Sequence, residues 1–212
     1  LFSGMEDAVE RILQAKEEGE KVLIYGDSDV DGVTSTAILY EELVRQGIDV
    51  QCRLPLEDDG YGLSIKAIDD FAAQDGTLII TVDCGISNND EIAHANELGI
   101  EVIITDHHNP PENLPEAIII IDPKLEDSGY PFDGISGAAV AYKLVSALRF
   151  ADSDFYGAEI CILELTENAE ENRLYFAKLR QLSVDIKNEN IDNICVDILS
   201  MGMSGDYEVA VE

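Results

Sequence analysis

The chain has 212 residues, 46% of them hydrophobic and 27% charged, with 44 acidic side chains against 13 basic ones and a formal charge of −31. That length and apolar content suit one packed α/β domain plus part of another and exclude a disordered chain, while no apolar run approaches the roughly 18–20 residues of a membrane span. So acidic a surface repels polyanions, and a nucleic-acid ligand needs bound cations or a basic surface supplied from elsewhere.

No charged-then-apolar leader opens the chain, which predicts a cytoplasmic protein. Its start at Leu1 rather than Met predicts a segment of a longer one. Cys52, Cys84, Cys161 and Cys195 are widely spaced and form no CxxC pair. Reduced thiols are therefore expected, not a zinc site or a disulfide framework.

Residues 5–19 read as an amphipathic helix with Met5, Ala8, Val9, Ile12, Leu13 and Ala15 on one side. An apolar strand over 21–25 runs into Gly26, and Asp27, Asp29 and Asp31 follow at alternate positions before Gly32. Aspartate favours turns and helix N-caps, so this stretch alone fits an acidic turn as well as an oxygen-ligand site for a divalent cation. A helix is expected over 33–46, packing through Val33, Ala37, Leu43 and Val44 and stopped by Gly47. A strand over 49–54, a turn-rich acidic loop over 55–62, and a helix over 64–74 capped by Ser64 come next.

The apolar strand over 77–82 ends in Asp83-Cys84-Gly85, and a helix over 88–98 is closed by Gly99. The strand over 101–105 ends in Asp106-His107-His108, and prolines 110, 111 and 115 keep 109–116 a loop. A strand over 117–121 ends in Asp122-Pro123. Uninterrupted apolar strands alternating with helices indicate an α/β fold: a mainly parallel sheet of five or more strands, covered on both faces. The C-terminal ends of parallel strands share one edge, where the acidic exits can converge. The adjacent His107 and His108 after a buried strand are the most specific signal, whereas His94 reads as an ordinary surface or packing residue. Residues 134–149 open with small residues and continue as a helix. Their Ser136 and Gly137 are candidate phosphate contacts through backbone N–H groups, with a close helix–sheet contact as the equal alternative.

Gly-Asp-Ser-Asp-Val-Asp-Gly-Val-Thr-Ser, then Val-Asp-Cys-Gly, then Thr-Asp-His-His resembles the DHH phosphoesterase superfamily, and most of all its single-strand-specific 5′→3′ exonucleases. Gly60-Tyr-Gly-Leu-Ser64 and the segment 130–144 extend the resemblance, which covers residues 5–150. It implies a catalytic domain over 1–150 that holds two Mn²⁺ or Mg²⁺ ions at the sheet edge. Asp27 and Asp29 would be ligands of the first motif, Asp83 a shared ligand and His107 the histidine ligand. His108 would stand beside the scissile phosphate and stabilise developing charge, while Asp31 and Asp106 orient the ligand loop and a histidine. Hydrolysis of single-stranded DNA by a water activated between the ions is the implied chemistry, with further domains supplying the DNA grip.

The chain departs from the family pattern at Ser28, where an aromatic residue is common, and at Tyr25, where some members carry histidine. A fourth acidic motif is expected after the small-residue helix. Glu164 is the nearest substitute, and otherwise the acid lies beyond Glu212. Residues 151–212 read as a linker followed by a divergent or inserted α/β segment, with strands over 159–165 and 193–199 and a helix over 169–182. The surface charge keeps two other readings open: action on short oligonucleotides, cyclic dinucleotides or pyrophosphate, and a non-catalytic scaffold module of a replication or repair complex. Oligomeric state has no signature in the chain.

Overall fold

The apolar runs form five parallel strands: β1 (Lys21–Gly26), β2 (Asp49–Arg53), β3 (Leu78–Val82), β4 (Glu101–Thr105) and β5 (Ile119–Ile121). They form one sheet in the order β2-β1-β3-β4-β5. The structure is a computed structural model that describes residues 2–55 and 62–151, with positions 173, 177, 180 and 181 beyond them. Two compact units are present, Leu1–Ile162 and Leu163–Glu212; in the second, Arg173, Ala177, Arg180 and Gln181 are helical. Cys161, Glu164, Cys195 and the strands expected over 159–165 and 193–199 lie outside the described residues, as does most of the loop expected over 55–62.

Five helices connect and cover the sheet: α1 (Met5–Glu18), α2 (Val30–Arg45), α3 (Ile65–Ala72), α4 (Asn89–Glu97) and α5 (Gly137–Ala151). Alternation along each strand divides the core. Val22, Ile24, Leu78, Ile80 and Ile103 point toward α1, α2 and α5, where Met5, Ile12, Leu39, Leu43, Leu144 and Leu148 meet them. Leu23, Tyr25, Ile79, Val102 and Ile104 point the other way, onto Ile68 and Phe71 of α3 and Ile92 and Ala95 of α4. Both faces are buried, which is why β3 is buried along its whole length and shows no polar–apolar alternation.

α2 begins three residues earlier than expected and buries a different face. The Asp29 side chain accepts the Gly32 N–H at 2.9 Å, an N-cap that draws Val30-Asp31-Gly32 into the helix. Gly32 then packs so closely that a Cβ would collide with the Asp27 backbone. Val33, Ala37 and Val44 are exposed, and the buried face is made by Ser35, Thr36, Leu39, Glu42 and Leu43. Thr36 and Ser35 return their hydroxyls to the carbonyls of Gly32 and Asp31, which makes them tolerable there. Glu42, wholly buried, receives Arg45, Gln46 and Arg149 of α5. Burial opposes its ionisation, but these three donors outweigh that and hold its carboxyl at about 2.

The winding reverses between β1 and β3: β2 lies on one side of that pair, β4 and β5 on the other. Such a reversal opens a crevice at the C-terminal strand ends, where open α/β sheets bind their ligands.

Candidate metal centre

Asp27 and Asp29 leave β1, and Asp83 leaves β3, the two strands that flank the crevice. Asp106, His107 and His108 leave β4. The register aligns these exits, since Gly26 pairs with Val82 and Val82 with Thr105. The Asp83 backbone N–H donates to the Thr105 carbonyl at 2.9 Å, and the Asp106 N–H to the Ile121 carbonyl at 3.0 Å. Each strand therefore extends its ladder by one bond before the chain turns. Asp83 turns in the left-handed region, at φ 61°, and Gly85 follows at φ 111°. Aspartate tolerates that conformation better than most residues, though still at a cost.

One ligand atom each from Asp27, Asp29 and Asp83 lies within 4.8 Å of the others, and the same holds for Asp83, His107 and His108. Asp83 belongs to both groups. Its Oδ1 is buried and accepts no aligned hydrogen bond, although His107 Nε2 stands 3.0 Å away. His107 Nδ1 is likewise buried without a hydrogen-bond partner. Burial pushes the Asp83 carboxyl up to about 6, and the charges of Asp31 and Asp29 add to this against the opposing pull of His107. Burial works against a charged His107, but Asp83 and Asp31 outweigh it and raise its pKa. Three carboxylates beside imidazole, with a buried oxygen left unpaired, are a donor set that divalent cations satisfy. The residues present fit Mn²⁺ or Mg²⁺.

Asp106 holds the next turn together. Its Oδ1 accepts from His107 N, His108 N and His108 Nδ1 at 2.7, 3.2 and 2.8 Å, and its Oδ2 accepts the Ile86 N–H at 3.0 Å. Burial opposes its charge, but His108 and these N–H groups prevail and keep its pKa below the ordinary value. The Asp106 bond raises the half-exposed His108 to about 9 against the cost of burial and so favours its charged form.

Asp31 faces the other wall. Its Oδ2 and Oδ1 accept the N–H groups of Gly137 and Ala138, each at 2.7 Å, and its Oδ2 stands 3.6 Å from His107 Nε2. The backbone donors expected at Ser136 and Gly137 for a phosphate are thus met at Gly137 by a carboxylate of the chain itself, which suits the positive end of a helix equally well. The buried Ser136 caps α5, accepting the Ala139 N–H at 3.3 Å. A Cβ on Gly137 would collide with the Asp83 carboxylate, so the small-residue opening also serves the close approach of helix and site.

Sequence reasoning gave no role to Asp122. It leaves β5 beside Asp106, is 1% exposed, accepts the Lys124 N–H through Oδ1, and leaves Oδ2 unpaired. Burial, aided by the Asp106 charge, raises it to about 6. The signal was present, since Asp122 ends a strand as Asp83 and Asp106 do. His94 bonds Asp69 at 2.7 Å, away from the centre. Among the described thiols, Cys84 is buried and Cys52 exposed, and neither is in a disulfide.

These features define an open α/β protein with a carboxylate–imidazole centre for divalent cations at its topological switch point. The chain belongs to the DHH family, whose N-terminal domain matches residues 21–166. It is 44% identical over 150 residues to the single-stranded-DNA-specific exonuclease RecJ of Salmonella typhimurium, covering 70% of this chain and 26% of that protein. With RecJ of Bacillus subtilis it shares 43% over 177 residues, covering 82% and 22%. A crystal structure of exonuclease RecJ bound to manganese superposes with a TM-score of 0.65 at 34% identity, covering 71% of this chain and 38% of that one. The chain spans about a quarter of the length of these curated relatives.

Proposed function

We propose that this chain is the metal-bearing part of a single-strand-specific 5′→3′ DNA exonuclease that hydrolyses phosphodiester bonds with two Mn²⁺ or Mg²⁺ ions. The carrying observation is the position of Asp83 between Asp27 and Asp29 on one side and His107 on the other, so that its carboxylate can be shared by two neighbouring cations. The activity of its relatives supplies the substrate class. In this reading residues 1–150 are the catalytic domain, and the fourth acidic ligand comes from residues beyond the described ones.

Asp27, Asp29 and Asp83 would hold the ions with His107. When bound, the ions supply Lewis acidity and lower the pKa of a water toward neutrality. Asp106 fixes the His108 ring and favours its charged form, so that His108 offers a positive N–H to a phosphoryl oxygen as charge builds there. Asp31 anchors the acidic loop to α5 and thereby sets the height of Asp27 and Asp29 above the sheet. The buried strand ends keep bulk water from the Asp83 side.

The formal charge of −31 supports a second reading, in which short oligonucleotides, cyclic dinucleotides or pyrophosphate are the substrates, because a small anion needs no long basic groove. One experiment separates them. The protein is incubated with Mn²⁺ and 5′-labelled single-stranded DNA, dinucleotides or pyrophosphate, beside a variant carrying Asp83→Ala and His107→Ala. Release of labelled mononucleotide by wild type alone supports the exonuclease, cleavage restricted to the small substrates supports the second reading, and equal product from both proteins overturns the metal centre.

A further inference from the structure

Five described cations of this acidic chain are spent on carboxylates: Arg11 on Glu20 and Glu101, Arg45 and Arg149 on Glu42, Arg53 and Lys66 on Asp70. Lys124 is not among them; Lys16 and Lys21 are not either, but they stand at the end of α1 and the start of β1, away from the C-terminal strand ends. No carboxylate among the described residues lies within ion-pair distance of the Lys124 ammonium group, although it follows Asp122 by two positions and stands at the edge of the centre. Its backbone N–H is held by Asp122 Oδ1 at 2.8 Å, which fixes the turn that carries it.

Lys124 lines a cavity of about 690 Å³. One wall is Asn109-Pro110, which begins at the residue after His108, and the other is the loop running from Pro123 to Asp133. These walls belong together because β4 and β5 are paired, Thr105 with Ile121, so the chain leaves both strands at the same level. The cavity therefore adjoins His108 on the side away from Asp27 and Asp29. Its volume lies within the roughly 300–1,000 Å³ of small-ligand pockets, room for one nucleotide unit and not for a run of them.

Resting on the reading of the centre as a phosphodiesterase, we infer that Lys124 and this cavity are the subsite for the nucleotide unit next to the scissile phosphate, with Lys124 binding that unit's own phosphate. A lysine left without a carboxylate near a phosphoryl-transfer centre is a strongly hydrated point charge with three donors, suited to a phosphate that passes through. Its charge is felt by both His108 and Asp122, whose pKa values it lowers, which agrees with the placement beside the centre. Pro110, Pro131 and Tyr130 also line the cavity, and the Tyr130 ring is held in place by stacking on Phe2 at 4.2 Å. Glu126 and Asp133 also border the cavity and are exposed. They repel further negative charge, so the subsite takes one phosphate and rejects a polyphosphate.

The test is binding, not turnover. A phosphorothioate-linked thymidine trinucleotide is titrated by NMR into the full chain with Mg²⁺ at several salt concentrations, for wild type, Lys124→Gln and Lys124→Arg. Mg²⁺ affinity is measured on each protein separately. Lys124→Gln is expected to weaken trinucleotide binding about fivefold, the scale of one partly exposed charged contact, and to lower the salt slope by about 0.7. Lys124→Arg keeps both, and all three proteins hold Mg²⁺ equally. Wild-type affinity and slope in Lys124→Gln would overturn the subsite while leaving the centre standing. Trinucleotide binding that is absent from wild type holding Mg²⁺ overturns it too. A wild type that binds no Mg²⁺ instead overturns the reading of the centre, and the subsite with it.

Discussion

Asp31 Oδ2 accepts the Gly137 N–H at 2.7 Å across 106 positions of chain, joining the loop after β1 to the first turn of α5. Oδ1 does the same for Ala138, so one carboxylate satisfies two of the donors that a helix N-terminus leaves open. Asp31→Ala removes this cap and is expected to cost about 1–2 kcal/mol of unfolding free energy in urea. Asp31→Asn, which keeps one acceptor oxygen, loses less. Because Asp31 also steadies Asp29 through the shared first turn of α2, Mn²⁺ affinity by calorimetry should fall in the same order.

Gly137→Ala tests the close approach from the other side. The new methyl would press on the Asp83 carboxylate, and alanine itself is favourable in a helix. A destabilisation of about 1–3 kcal/mol is expected from the overpacking, together with a loss of Mn²⁺ affinity of about tenfold, or ~1.4 kcal/mol. Equal affinity in the variant would show that Asp83 can move aside without cost.

Asp83 makes the ion-free protein sensitive to mild acid in an unusual direction. Its folded pKa of about 6 lies above the ordinary 3.8, so the stability it contributes is complete below pH 4 and is lost as pH rises through 6. Asp122 acts in the same sense. Thermal unfolding without metal should therefore show decreasing stability from pH 4 to 6, by at most about 1.4 kcal/mol for each tenfold difference in proton affinity between the folded and unfolded chain. Saturating Mn²⁺ should abolish the Asp83 part, and Asp83→Asn should do so without metal. Mn²⁺ affinity should itself fall below pH 6, where protons compete for the carboxylate.

Glu42 gives the opposite slope at lower pH. Its carboxyl is held at about 2 against an ordinary 4.5, so its contribution is present above 4.5 and disappears as pH falls toward 2. Glu42→Gln should be destabilised by about 1.5–3 kcal/mol at neutral pH, the scale of hydrogen bonds to a charged group, and its stability should be flatter than wild type between pH 4.5 and 2. Urea midpoints across that range check it.

The elements legible in the chain were those with local causes. The short, mainly apolar runs over 78–82 and 101–105, rich in β-branched residues, read as buried strands, and Ser64 caps α3 through the Ala67 N–H as its position implied. The convergence of Asp27, Asp83 and His107 followed from parallel strands sharing an edge. What escaped depends on distant partners. Val33 and Val44 look like core residues and are exposed, while Glu42 looks like surface and is buried, because Arg149 reaches it from α5, 107 positions later. No periodicity within α2 encodes that. The start of α2 was obscured because Asp and Gly read as turn residues until a cap from Asp29 makes them helical. The α5 terminus looked free for an anion because the carboxylate that fills it lies far back in the sequence.

The shared level of the strand ends also determines where the chain can change length. Asp83 is aligned with His107 by ladder bonds from Leu78 to Val82, and one residue added or removed within that strand would shift Asp83 by about 3.3 Å and turn its side chain to the opposite face of the sheet. The turns at the opposite edge, such as Gly47 before β2 and Gly99 before β4, bear no such alignment. Insertions there should leave the cation ligands in place, so one edge of the sheet is open to variation in chain length and the other is not.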